Sequence, residues 1–300
     1  MKQQIKITLL FWLASSGLFG QEVKISFPQL AGKEVKIYYF AGAKVDSVVS
    51  ATDAKGSAVL KIPLADYCGM AFLKAGDAGG IEIVISGKET KISCATAELN
   101  IETVDFSASE ENILLKRLFT EASHNLQLQE WLQSVGRFYD TEHPFYIAVG
   151  MELDSVRQII GKMETEAALS PFYAARYYAL NNFMNRLFEA DRQADKMGAL
   201  AIQHEMETTL DIAVLYRTGQ LWESVHNYYI SLFNRTGKED KHLQYAKSIL
   251  RTLDRLSSPL YEAYLAGCIA EMERFKWLDS RDAVIAHVLE RNPNLIRDAK

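Results

Sequence analysis

The chain has little cysteine, little net charge and no obvious catalytic motif. Three cysteines in 300 residues are too few for a disulfide scaffold or a four-thiolate zinc site. No Cys-x-x-Cys occurs, so the local dithiol of thioredoxin-like enzymes is absent. Lys and Arg number 33 against 38 Asp and Glu, a formal charge of −5. That balance gives no basic footprint, and nucleic acid is not an expected partner. There is no Gly-x-Ser-x-Gly, no Walker loop and no Gly-x-Gly-x-x-Gly. His204-Glu205-Met206-Glu207-Thr208 begins like a zinc-binding helix but lacks the second histidine at i+4. The expectation is a protein without cofactor or metal, and one that binds rather than catalyses. At 48% hydrophobic the composition is that of a globular chain. The length suggests about two domains.

The first twenty residues, MKQQIKITLLFWLASSGLFG, have the outline of a secretory signal peptide. Lys2 and Lys6 give a basic start, Ile7 to Ala14 a short apolar core, and Ser15, Ser16 and Gly17 a small-residue end. Cleavage is expected near Gly20, leaving Gln21 first. Loss of Lys2 and Lys6 takes the formal charge from −5 to −7. Beyond this segment no apolar run is long enough to cross a bilayer. The expectation is export, to the periplasm or the outer envelope.

Residues 21–106 alternate with period two. EVKISF, EVKIYYF, VDSVVSA, SAVLKI, GMAFLKA, GIEIVIS, ETKISCA and LNIETVDF each read as a strand rich in β-formers. Turn signals separate them, among them Asp53-Ala54-Lys55-Gly56 and Asp77-Ala78-Gly79-Gly80. Short strands with tight turns predict an antiparallel β-sandwich or open barrel. From Ser107 the period becomes helical through to residue 300. Helices are predicted over 110–137, 145–168, 171–190, 198–217, 220–234, 239–256, 259–276 and 280–291. Ser109 heads the first as a cap. Ser170-Pro171 and Ser258-Pro259 each place a capping hydroxyl before a first-turn proline. The fold class is therefore α+β: a β domain over 21–106, then an all-α helical array over 107–300.

Few residues stand out as functional candidates. Cys68 and Cys94 both lie in the β half, and two readings stand. They form a disulfide in an oxidising compartment, worth roughly 3 kcal/mol on the chain-entropy model. Otherwise they are buried free thiols on different strands. Cys268 falls on the apolar face of its helix and reads as a small core residue. The six histidines are scattered and read as surface or satisfied core residues. Tyr177 and Tyr178 crowd one helix, and Tyr228 and Tyr229 another. Core packing explains aromatics on several helix faces. The other reading is a solvent-exposed aromatic cleft for carbohydrate or peptide. Glu239, Asp240 and Lys241 are expected in a turn or on a solvated face.

With both halves placed, a resemblance emerges. EVKIYYF, the VDSVV segment with Asp46-Ser47, Asp53 and Gly56 before SAVLKIP, GIEIVISGKETKI and the closing SEENILL follow one another in order. That succession resembles the β domain at the N-terminus of many secreted bacterial thioredoxin-like proteins, the thiol-disulfide oxidoreductases. PFYAARYYALNNFM and HNYYISLFNR are similar to that family's aromatic helices. The resemblance implies the accessory region of such an oxidoreductase. In the family a thioredoxin domain follows, about where this sequence reads Asn292-Pro293-Asn294, and no Trp-Cys-x-x-Cys is present to carry over. The expectation is an exported, non-catalytic binding or scaffolding protein, with an envelope protein or a thioredoxin-like domain as partner. The alternative is one part of an envelope oxidoreductase whose thioredoxin domain is missing from this chain or supplied in trans.

Overall fold

The computed structural model describes residues 21–237 and 240–291. The predicted signal segment, the 292–300 ending and Glu239 lie outside the described residues. The fold is α+β: two four-stranded open sheets, then nine helices among the described residues.

Eight strands form among the described residues: β1 (Gln21–Ser26), β2 (Glu34–Ala41), β3 (Lys44–Ala51), β4 (Ser57–Ile62), β5 (Cys68–Ala75), β6 (Gly80–Ser86), β7 (Thr90–Cys94) and β8 (Val104–Phe106). One sheet has the order β3-β2-β5-β6 and is antiparallel throughout. The other runs β4-β1-β7-β8, and here the antiparallel expectation is corrected. β1 pairs parallel with β7, Ile25 opposite Ile92, so this sheet is mixed. Alternation fixes which face a residue takes, but not which strand lies alongside or in which direction. Val35, Ile37, Leu73, Ile81 and Ile83 from one sheet meet Val23, Ile25, Leu60, Ile62 and Ile92 from the other in a single core.

The outer face of the antiparallel sheet carries the alternate residues, in three rows set by register. Val45, Phe40, Met70 and Val84 form the first; Ser47, Tyr38, Phe72 and Glu82 the second; Val49, Lys36, Lys74 and Gly80 the third. Helices cover the first row except for the exposed Val45: Met70 and Val84 belong to the helical core, and Phe40 packs against it. The third row is open, with Val49 and Lys74 exposed.

The helices are α1 (Glu110–Gly136), α2 (Pro144–Leu169), α3 (Tyr173–Gln193), α4 (Lys196–Thr208), α5 (Ile212–Leu215), α6 (Gln220–Thr236), α7 (Lys241–Asp254), α8 (Leu260–Arg274) and α9 (Leu278–Arg291). Ser109 caps α1 as expected, its Oγ accepting from Asn112 N at 3.3 Å. The helix predicted over 198–217 divides instead. Asp211 accepts from Val214 N at 3.0 Å and so starts α5 as a new helix. The two Ser-Pro starts also differ from expectation. Glu111 of α1 caps α3, its carboxylate accepting from Tyr173 N and Ala174 N at 3.0 and 2.8 Å. At α8, Pro259 is itself the cap residue and no side chain caps the helix. α1 and α2 make a long hairpin. Its far end holds only a small core of Leu132, Val149 and Val156, and Trp131, Phe138 and Met151 are exposed.

Sheet and helices are stitched together where β2 and β5 part. Their pairing ends at Tyr39 opposite Ala71, so Phe40 and Met70 are not paired with each other. The loop between α5 and α6 fills the gap. Met70 N donates to Arg217 O at 2.9 Å, and Gly42 N to Tyr216 O at 2.7 Å. The Tyr67 hydroxyl accepts from Phe40 N at 3.1 Å and donates to Met70 O at 2.5 Å. Arg217 also donates to Phe40 O at 3.2 Å and lies over the Tyr67 ring. Burial pushes the Tyr67 phenol up to about 12, so it remains a donor across the neutral range.

Candidate functional site

A cleft of about 490 Å3 opens where the second row of the sheet passes out from under α6. Tyr38, Phe40, Phe72 and Glu82 line it from the sheet, and Thr218, Gly219, Gln220 and Glu223 from the start of α6. Register puts Tyr38 beside Phe72, and Phe72 beside Glu82. The Phe72 ring lies across Gly80, where a Cβ would come within 2.4 Å of it. Glycine at 80 therefore leaves the ring the space it occupies.

Solvent reaches Glu82. Protein nevertheless packs closely around it, and this desolvation raises its pKa above the usual carboxylate range. The buried Tyr177 of α3 donates its hydroxyl to Glu82 Oε2 at 3.1 Å, which opposes part of that shift. Desolvation, with the nearby Glu82 charge, raises the Tyr177 pKa as well, so the phenol is a fixed donor. Among the described residues no Lys, Arg or His nitrogen lies within 4.0 Å of the Glu82 or Glu223 carboxylate. The cleft thus presents two acids without a counter-cation, beside three aromatic rings.

A second cleft of about 310 Å3 lies on the other side of the Arg217 loop, lined by Cys68, Asp66, Tyr173, Arg176 and Arg217 among others. The Cys68 thiol is exposed and free. Desolvation raises its pKa, with Glu111 adding to the shift and Arg176 and Arg217 opposing it. It rests as a thiol, a slow nucleophile.

Of the two readings for Cys68 and Cys94, the disulfide is not made. Cys68 shares its parity with Met70 and Phe72, on the outer face of its sheet. Cys94 is buried in the inner core of the other sheet, near the Thr96 and Glu98 carbonyls. Both are free, as is the buried Cys268. Of the three thiols, only Cys68 is expected to react with Ellman's reagent in the native protein, and more slowly than free cysteine. Cys94 and Cys268 should follow after unfolding in urea. Native reaction at all three thiols, or at none, would contradict this placement.

The four tyrosines proposed for a binding cleft do not come together. Tyr177, Tyr178 and Tyr229 are buried, and Tyr228 is half-buried edge-on to Phe188. Tyr178 packs at the base of the hairpin against Phe119, and the Tyr229 hydroxyl bonds Ser248. Only Tyr177 touches a residue of the cleft, through the bond from its hydroxyl to Glu82. Carbohydrate or peptide binding on these four has lost its basis. The residues that line the cleft, Phe72, Glu82 and Glu223, were not singled out from the sequence. One signal was readable: Glu82 is the lone charge in the strand GIEIVIS.

Two histidines depart from the expected surface or satisfied core setting: the half-buried His242, whose buried Nδ1 has no partner among the described residues, and His226. His226 is buried against Trp222 and Tyr264, its Nδ1 3.5 Å from the Cys268 sulfur, and its Nε2 has no partner among the described residues. Burial lowers its pKa from 6.5 to about 4. The same burial raises the Cys268 thiol well above its ordinary value, so the pair is not a nucleophilic dyad. The folded ring stays neutral below pH 6.5, where the unfolded one takes up a proton. This contribution to stability is therefore complete above about pH 6.5 and is lost as pH falls toward 4. Between pH 7.5 and 5 the loss is expected to be about 2 kcal/mol, from about 1.4 kcal/mol per pKa unit. Urea unfolding at the two pH values measures it, and His226→Gln should remove most of the difference.

Among the described residues no group of three His, Cys, Asp or Glu side chains could hold a metal ion, and no helix is long and apolar enough to cross a membrane. No family model matches the chain, and no curated protein or solved structure matches it.

Proposed function

We propose that this chain is an exported binding or scaffolding protein of the cell envelope, non-catalytic in itself, which holds a ligand in the cleft between the antiparallel sheet and α6. The observation that carries this reading is Glu82. It is a desolvated yet accessible carboxylate, held by Tyr177, beside an aromatic wall and without a protein counter-cation. Leaving such a group without a charged partner costs stability, and a ligand would supply what the fold does not. The signal-like leader supports export. The resemblance to the accessory region of thioredoxin-like proteins supports a role beside other envelope proteins. A thermal-shift screen of a mixed metabolite library tests the reading. At least one compound is expected to stabilise the wild-type protein but not Phe72→Ala. Compounds that stabilise both proteins equally, or none that stabilise either, would count against it.

A second reading has its own observation, the accessible Cys68 thiol between Arg176 and Arg217. It makes the chain one part of an oxidoreductase whose thioredoxin domain acts in trans. A thioredoxin domain lacking its resolving cysteine, its remaining cysteine first converted to the mixed disulfide with thionitrobenzoate, would then be captured by the Cys68 thiolate with release of thionitrobenzoate, on wild-type protein but not on Cys68→Ser. Equal trapping on both would dispose of this reading.

A further inference from the structure

We infer that the junction cleft takes an alkylammonium group on an apolar stem, as carried by a lysine side chain or a free diamine; this rests on the binding role assigned to the cleft above. Charge is the first ground. Glu82 and Glu223 face the cleft with no cation within 4.0 Å among the described residues. An anion would meet like charge there, and a neutral saccharide would leave both acids uncompensated. The start of α6 would favour an anion by its dipole, but Glu223 sits in its first turn and offsets it. The wall is the second ground. Aromatic faces attract ammonium groups, and the protein already shows this on one ring of the cleft: Lys36 Nζ lies 4.6 Å from the centre of Tyr38. The third ground is the apolar lining, where Met70 and the exposed Val45 can take a methylene stem.

An ammonium pairs with the ionised form of Glu82, so binding should strengthen as pH rises through the raised range in which that group loses its proton. Four charged or titratable groups stand around it: Tyr177 on α3, Glu223 on α6, and Lys36 and Lys74 on the neighbouring row of the sheet. Glu223 is the only other carboxylate among them. Comparing Glu82→Gln with Glu223→Gln separates their parts.

The test is a titration of the full chain, followed by backbone amide NMR, with four probes: 1,5-diaminopentane, Nα-acetyl-lysine methylamide, maltotriose and glutarate. Saturable shifts at Phe72 and Glu82 are expected from one or both amines. Preference for the diamine or for the blocked lysine identifies a free or a peptide-borne source. Glu82→Gln should weaken binding about tenfold or more. Phe72→Leu should weaken it too while leaving both acids in place. Shifts in the cleft from maltotriose or glutarate alone would overturn the ammonium assignment and leave the binding role standing. Shifts in the cleft from none of the probes would overturn the assignment as well. The binding role itself falls only with the library screen.

Discussion

Asn112→Ala is expected to lower the unfolding free energy by about 2–4 kcal/mol, measured as a shift in urea midpoint at constant slope. Asn112 is wholly buried in the first turn of α1. Its Oδ1 accepts from Val84 N at 2.7 Å, and its Nδ2 donates to Val84 O at 2.8 Å. Val84 lies on β6, an edge strand of the antiparallel sheet. An edge strand exposes backbone donors and acceptors that must find partners when buried. The amide of Asn112 supplies one of each, as a neighbouring strand would. Truncation strands a buried N–H and a buried C=O together, each worth about 1–3 kcal/mol. Asn112→Asp separates this account from simple cavity formation. The carboxylate keeps the acceptor for Val84 N but faces Val84 O without a proton. That variant should be more destabilised at pH 7 than at pH 4, where a protonated acid can donate again. A loss below about 1 kcal/mol for Asn112→Ala would show that these bonds do not hold the helix to the sheet.

Gly219→Ala is expected to cost about 3 kcal/mol or more. Gly219 precedes α6 with φ 61° and ψ −107°, a conformation that L-residues avoid. A Cβ there would lie 2.6 Å from Phe40 Cδ1. The ring must move, and with it one wall of the cleft. The control is Gly150→Ala on the exposed side of the hairpin. There no atom lies within 4 Å of an added Cβ, and helix propensity predicts a gain of up to about 1 kcal/mol. If the two substitutions had similar effects, the contact between Phe40 and Gly219 could not be what sets the junction.

The division into strands and helices was legible because the hydrophobic period changes from two to about 3.6 near Ser107. Ser109 as the cap of α1 was legible for the same local reason. Pairing was not. Nothing in QEVKIS says that it lies parallel to TKISC, since alternation encodes a face and not a neighbour. The cap of α3 by Glu111 was equally hidden, because its two halves are more than sixty residues apart in sequence. The cleft falls between these cases. Tyr38 and Phe40 share a face by parity alone, but Phe72 and Glu82 join Tyr38 only through a register that spans three strands. Helical aromatics misled for a physical reason. Tyr177, Tyr178 and Tyr229 lie on helices packed on more than one side, where a large ring fills core before it can serve a ligand.

The cleft exists only while sheet and helices hold together as one body, through the Arg217 loop, Tyr67 and Asn112. Native-state hydrogen exchange on the full chain tests this most directly. Amides of Ile83 and Val84 in β6, and of Leu232 and Ile249 in α6 and α7, should exchange through one opening. They should share a free energy and a denaturant dependence. Helical amides that stay protected while β6 exchanges through an opening cheaper by about 2 kcal/mol or more would mean that the halves unfold separately. The junction would then be a surface contact, and the site built on it would lose its frame.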